Sequence, residues 1–114
     1  MSLVPTLNVQ KDGRKLAFSV TVHNAGSEAA ELRFTDAGLL QIVVTTPDGA
    51  HLYDSRAGRM FAAVMKSVTV APGKDVTFGD AWEAPPNVRT LHVQATVRAI
   101  PPLTARCIVE VGAS

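Results

Sequence analysis

One cysteine, three histidines, a scatter of aspartates and two arginines beside a short apolar run are the residues of this chain that could do chemistry. A nucleophilic cysteine needs an activating base and an exposed, electropositive setting. Cys107 instead alternates with Ala105, Val109 and Val111, so it is expected on the inward face of a strand, where a free thiol behaves as a small hydrophobe. His23, His51 and His92 lie far apart and form no His-x-His or Cys-x-x-Cys ligand spacing. Blue-copper chemistry uses two histidines, a cysteine and a weak axial methionine. It would place His and Met shortly after the cysteine, and Cys107 is followed by Ile108-Val109-Glu110-Val111. The histidines are therefore expected on solvated strand faces, with no metal and no cofactor. Asp12, Asp36, Asp48, Asp54, Asp75 and Asp80 sit at turn signals, where side-chain-to-backbone bonding explains them. Gly26, Gly38, Gly49 and Gly73 belong to separate turns, so no phosphate-cradling loop forms. No catalytic site is expected, and the chain is not read as an enzyme.

The remaining candidates cluster in one place. Arg56, Arg59 and Lys66 flank the apolar segment Met60-Phe61-Ala62-Ala63-Val64-Met65 in the longest irregular stretch. Function concentrates on loops held by a rigid scaffold. Arginine with methionine and an aromatic is the composition of a protein contact. Arg56, Arg59, Met60, Phe61 and Lys66 are therefore the protein-contact candidates. The competing reading is a solvated loop whose Phe61 and Val64 fold back on the core. Residue types alone leave both open.

The elements that must position this stretch are strands. Lys15 to His23 alternates strictly, with Leu16, Phe18, Val20 and Val22 on one face and small or polar residues opposite. One wall buried and one wet is the pattern of an antiparallel sheet. Shorter runs over Leu7–Gln10, Ala30–Thr35, Leu39–Thr46, Ala50–Asp54, Ser67–Ala71, Asp75–Trp82, Thr90–Arg98 and Ala105–Val111 fit the same class. Leu39–Thr46 is apolar enough to predict a central strand covered on both faces. Asp12-Gly13 and Asp48-Gly49 mark hairpin turns, and Pro72-Gly73 marks a tight turn. At Asn24-Ala25-Gly26-Ser27, Asn and Gly are expected to supply positive φ. Met60–Met65 reads as one helical turn or an irregular strand edge. Eight or nine short strands at regular spacing predict an all-β, immunoglobulin-like antiparallel two-sheet sandwich of about eight strands, without the Cys…Trp…Cys spacing of antibody domains.

The 114 residues fit one domain, and 46% hydrophobic content suffices for a core. With 5% aromatics, that core is built from Val, Leu, Ile and Ala. A net charge of +1 with interspersed signs leaves no basic stripe for nucleic acid. A lone cysteine makes no internal disulfide, which fits a reducing compartment or a disulfide-free secreted one. No signal-peptide pattern or membrane-length apolar run is visible. Met1-Ser2-Leu3 also reads as an expression scar. The expected location is thus cytoplasmic if the chain is complete, and secreted or cell-envelope if it is excised from a longer protein.

The order of features carries a resemblance. Val22-His23-Asn24 ends a strand before a small polar turn. Leu32-Arg33-Phe34 precedes Asp36-Ala37-Gly38. An apolar strand leads to Asp48-Gly49, an aromatic strand end at Tyr53-Asp54-Ser55, and Met60-Phe61. Val68-Thr69-Val70-Ala71-Pro72-Gly73-Lys74 then leads to Phe78 and Trp82. Over roughly residues 14–98 this resembles the intracellular proteinase inhibitor family, the BsuPI-like domains. The chain departs from it at Tyr53, where the family often has Trp. It departs again at Val88-Arg89-Thr90-Leu91, where the family has Gly-x-Tyr, and at Lys74, where an acidic residue is usual. The resemblance implies an Ig-like sandwich and, by the family's name, binding to a proteinase. For such an inhibitor the residue types themselves point to non-covalent exclusion, with the loop Asp54–Lys66 as the docking segment and Arg59-Met60 as its anchor, since arginine and apolar side chains fill specificity pockets. The alternative is a non-inhibitory Ig-like interaction module of a larger protein, pairing through a sheet edge or an apolar patch.

Overall fold

The structure, a computed structural model, describes residues 2–111. Nine strands and no helix occur among them: β1 (Leu3–Asp12), β2 (Lys15–Asn24), β3 (Ala30–Asp36), β4 (Leu40–Thr45), β5 (His51–Asp54), β6 (Ala63–Val70), β7 (Asp75–Glu83), β8 (Thr90–Val97) and β9 (Leu103–Glu110). Every pairing is antiparallel. The ladders run β1-β2-β7, β5-β4-β8-β9 and the separate two-stranded β3-β6. The first two form the sandwich expected from the alternation. No helix is long and apolar enough to cross a membrane, among the described residues.

The core follows from the period of two. Leu16, Phe18, Val20 and Val22 of β2 are all buried, as are Leu91, Val93, Ala95 and Val97 of β8. Leu32 and Phe34 of β3, Ile42 and Val44 of β4, Val70 of β6 and Val109 of β9 complete one cluster drawn from all three ladders. Burying each Val, Leu, Ile or Phe of this set contributes about 1.5–3 kcal/mol.

Two local expectations change, and of the two readings of Met60–Met65 the irregular strand edge is the one found. β4 is central, between β5 and β8, but it is not covered on both faces. Ile42 and Val44 are buried, while Val43 on the outer face is half-buried, because no layer lies over that side of the sandwich. The Met60–Met65 segment is not helical. β6 begins at Ala63 because β3 offers it a partner, with Asp36 opposite Ala63 and Phe34 opposite Lys66, and the register shifts between those pairs. A six-residue helix has no such support.

The Asn24–Ser27 turn uses no positive φ. Asn24 works through its side chain instead. It is 1% exposed, its Nδ2 donates to the carbonyls of Glu28 and Val70, and its Oδ1 accepts from the Gly26 N–H. The Pro72-Gly73 turn does take the left-handed conformation, with Gly73 at φ 73°.

Candidate functional site

The loop between β5 and β6 is built on hydrogen bonds at both ends. Ser55, which is buried, exchanges bonds with β4. Its N–H donates to the Ile42 carbonyl at 3.0 Å, and its hydroxyl accepts from the Ile42 N–H at 2.9 Å. The Asp54 carboxylate accepts from the Arg56 N–H at 3.0 Å and from the Gln41 amide. Two further turn bonds, Ala57 N–H to Asp54 O and Arg59 N–H to Arg56 O, continue the chain. At the far end the Ala62 carbonyl accepts from the Ala37 N–H at 3.0 Å. Tyr53, just before the loop, stacks on Trp82 with ring centroids 5.4 Å apart and donates its hydroxyl to Asp80 at 2.7 Å.

The interior of the loop is an Arg56–Phe61–Gly38 cluster. Arg56 makes a forked pair with Asp36 (Nη2 to Oδ2 at 3.0 Å, Nη1 to Oδ1 at 3.3 Å), and its Nη1 also donates to the Gly38 carbonyl at 2.7 Å. Its guanidinium carbon stands 4.3 Å from the Phe61 ring centroid, and that of Arg59 stands 5.1 Å away. Gly38 permits this. A Cβ there would fall inside contact distance of Arg56 Nη1 and 2.8 Å from Phe61 Cδ1. The Arg56 hydrogen bond, helped by the Gly38 N–H and opposed by partial burial, holds the Asp36 carboxyl below the usual carboxylate range.

These contacts separate the five candidates. Arg56 is largely covered and Phe61 is half-buried, so both lie inside the loop. Arg59 is exposed, with its Nη1 near the Ser55 carbonyl at 3.3 Å. Met60 is 100% exposed, and Lys66 is exposed on β6. Of the residues expected to fold back on the core, Phe61 turns inward and Val64 stays 41% exposed. A cleft of about 250 Å³ runs beside the loop, lined in part by Gly38, Arg59, Phe61, Phe78 and Asp80. Sequence reasoning missed Gly38, Asp36 and Ser55. A small-residue break next to an aspartate was the one signal available for the first two, and it reads as an ordinary turn.

The other titratable residues stay apart. Among the described residues no group of three or more His, Cys, Asp or Glu side chains comes together to hold a metal. Cys107 is half-buried, and burial pushes its thiol up, away from the thiolate. His23 meets Asp75 across the β2–β7 ladder, and His51 and His92 are exposed.

The Tyr53 phenol is pushed up to about 12, first by burial, then by its hydrogen bond to Asp80 and the charge of that carboxylate. A raised value means the neutral phenol contributes stability below pH 10, and this is lost as pH rises toward 12. Tyr53 is the single tyrosine, so an ultraviolet difference titration reads it alone. A midpoint near 12 in the folded protein is expected, falling toward 10 in Asp80→Ala. A wild-type midpoint near 10 would show that the Tyr53–Asp80 contact does not hold in solution.

Solved structures share the architecture. The chain is similar to the ApaA protein of Bordetella pertussis, with a TM-score of 0.55 and 15% identity over 98% of this chain and 97% of that one. It is also similar to the sporulation control protein Spo0M of Bacillus subtilis, with a TM-score of 0.51 and 16% identity over 100% of this chain and 50% of that one. At these identities the likeness concerns the fold. No curated protein matches the chain significantly. The family signature described as intracellular proteinase inhibitor (BsuPI) matches residues 3–101, and the chain belongs to that family.

Proposed function

We propose that this domain binds a proteinase without covalent chemistry and blocks it by exclusion, with the Asp54–Lys66 segment as its contact surface. The observation that carries the reading is a loop tied down at both ends that nevertheless presents Met60 fully to solvent. An apolar side chain on a pre-ordered loop loses little conformational entropy on docking. Pre-organised inhibitors of this kind move little when they bind. Arg59, Met60 and Lys66 are the residues assigned to the contact. Arg56 and Phe61 are assigned to holding the loop. Family membership supports the choice of a proteinase as partner, and the family's name supports a cytoplasmic setting.

The test is titration of the purified domain against a panel of serine and metallo-proteinases, following residual activity. Stoichiometric loss of one activity is expected, with the domain left intact. Met60→Asp should then weaken inhibition roughly 30-fold, the size of a hot-spot loss. Unchanged inhibition in Met60→Asp and in Arg59→Ala would remove this loop as the contact surface.

A second reading is a non-inhibitory interaction module of a larger, secreted or cell-envelope protein. The same fold spanning half of the Spo0M chain favours it. No inhibition across the panel, with the domain digested as a substrate, would select it.

A further inference from the structure

Among the described residues, each free sheet edge apart from the Ala63–Val68 run carries a device that discourages pairing. Unpaired strand edges are templates for another chain, and proteins blunt them with proline, short strands or covering segments. β1 contains Pro5. β5 has four residues. The outer edge of β3 is covered by the 98–101 segment, whose Ile100 N–H donates to the Arg33 carbonyl at 2.9 Å. On β9, Lys11 Nζ donates to the Glu110 carbonyl at 2.7 Å. β7 faces the 37–40 segment and the β5–β6 loop across the cleft beside them.

β6 carries such a cap only at its last residue, where Asn24 Nδ2 donates to the Val70 carbonyl, and its Ala63–Val68 run has none. The strand is eight residues long, holds no proline and pairs with β3 alone. Ala63 to Ser67 is exposed at every position, so the N-terminal half of the strand stands clear of the core on both faces. It presents Met65 at 84% and Val64 at 41% exposure.

The charges around it select an occupant. Arg33 is paired with Glu31, and Arg56 with Asp36. Glu31 is further engaged by the Ser67 hydroxyl. Lys66 is left without an ion-pair partner among the described residues. A symmetric antiparallel dimer centred on Met65, Lys66 or Ser67 would set the two Lys66 side chains opposite or diagonal, about 5–8 Å apart, where like charges repel. A second copy is therefore disfavoured. A strand with apolar residues and one carboxylate at the position facing Lys66 satisfies the backbone, the apolar side chains and the charge together.

We propose that β6 is a strand-addition site for an extended, apolar, acidic segment of a partner protein, paired edge to edge along Ala63–Val68 with its carboxylate on Lys66. The site does not require that partner to be a proteinase.

The test uses two capped peptides, Thr-Val-Glu-Val-Thr-Val and Thr-Val-Lys-Val-Thr-Val, added in excess to the intact protein. Backbone hydrogen exchange is followed residue by residue. The glutamate peptide is expected to slow exchange within Ala63–Val68 and to bind roughly fivefold tighter than the lysine peptide. Lys66→Glu should invert that preference, and Trp82 fluorescence checks that the variant stays folded. Absence of slowed exchange in β6, the same preference in wild type and Lys66→Glu, or slowed exchange confined to another edge would overturn the proposal. Protection of β6 that rises with protein concentration without peptide would overturn it in favour of self-association. Inhibition of a proteinase is read separately, so either reading can fail alone.

Discussion

Gly38→Val is expected to cost about 3 kcal/mol of stability and to release the β5–β6 loop. The valine Cβ would meet Arg56 Nη1 inside contact distance and Phe61 Cδ1 at 2.8 Å. Both side chains must move. Moving Arg56 breaks its fork to Asp36 and its bond to the Gly38 carbonyl, and it removes the cation from the Phe61 face. For a domain of this size the loss corresponds to a fall in Tm of roughly 10 °C. Amides of residues 55–62 should exchange faster by more than the global change requires. An Arg56→Ala background separates a simple clash from coupling. With the guanidinium gone, the further cost of Gly38→Val should drop by at least about 1 kcal/mol, because the two changes share one contact. Additive costs would show that Gly38 and Arg56 act independently. The pH dependence carries the same signature. The Asp36 carboxyl is held low, so its pairing contributes stability above the ordinary carboxylate range, and this is lost as pH falls through the depressed value. Gly38→Val should flatten that part of the acid dependence.

Asn24→Leu should be about as costly, near 3 kcal/mol, although it makes the core more apolar. Three polar groups depend on this side chain: the carbonyls of Glu28 and Val70 and the N–H of Gly26. Each unsatisfied buried group costs about 1–3 kcal/mol, and those near the surface recover part of that from water. The backbone of Asn24 adds bonds to the β6–β7 turn, donating to the Lys74 carbonyl and accepting from Gly73. One residue thus ties the end of β2 to the following turn, to β6 and to the β6–β7 turn. Asn24→Asp tests the direction of the bonds. It replaces a donor by an acceptor facing two carbonyl oxygens, so its carboxyl should titrate above the usual range. The variant should be most stable at acid pH and lose stability as pH rises. Equal, pH-independent losses in Leu and Asp variants would show that shape, not the donor, matters at this position.

Neither position stands out in the sequence. Asn24 and Gly26 look like residues chosen for positive φ, and neither adopts it. Asn24 is instead chosen because an amide can donate twice and accept once. Gly38 looks like one more turn glycine. Its role comes from Arg56, eighteen residues later, and that contact exists only once β3, β4 and the loop are assembled. The contact candidates divide for the same reason. Arg56 and Phe61 have the composition of a binding surface, but Asp36 and Gly38 draw them inward, and Met60 between them is left outside.

What the amino-acid sequence determined by itself is the set of strands and their faces. Period-two alternation in β2 and β8 is a property of neighbouring residues, and it placed every buried apolar side chain of those strands correctly. The turn at Pro72-Gly73 and the ordered set of residues shared with the family are equally local. Tertiary structure decided which strand lies beside which. β3 takes β6 as its partner across the intervening residues 37–62, extending that strand back to Ala63 and leaving its far edge open. It also decided the bonds of Arg56 to Asp36 and of Tyr53 to Asp80, twenty and twenty-seven residues apart. Alternation depends on the covalent geometry of one strand. Pairing, bracing and exposure depend on the free energy of contacts between distant segments, which no single stretch of the chain contains.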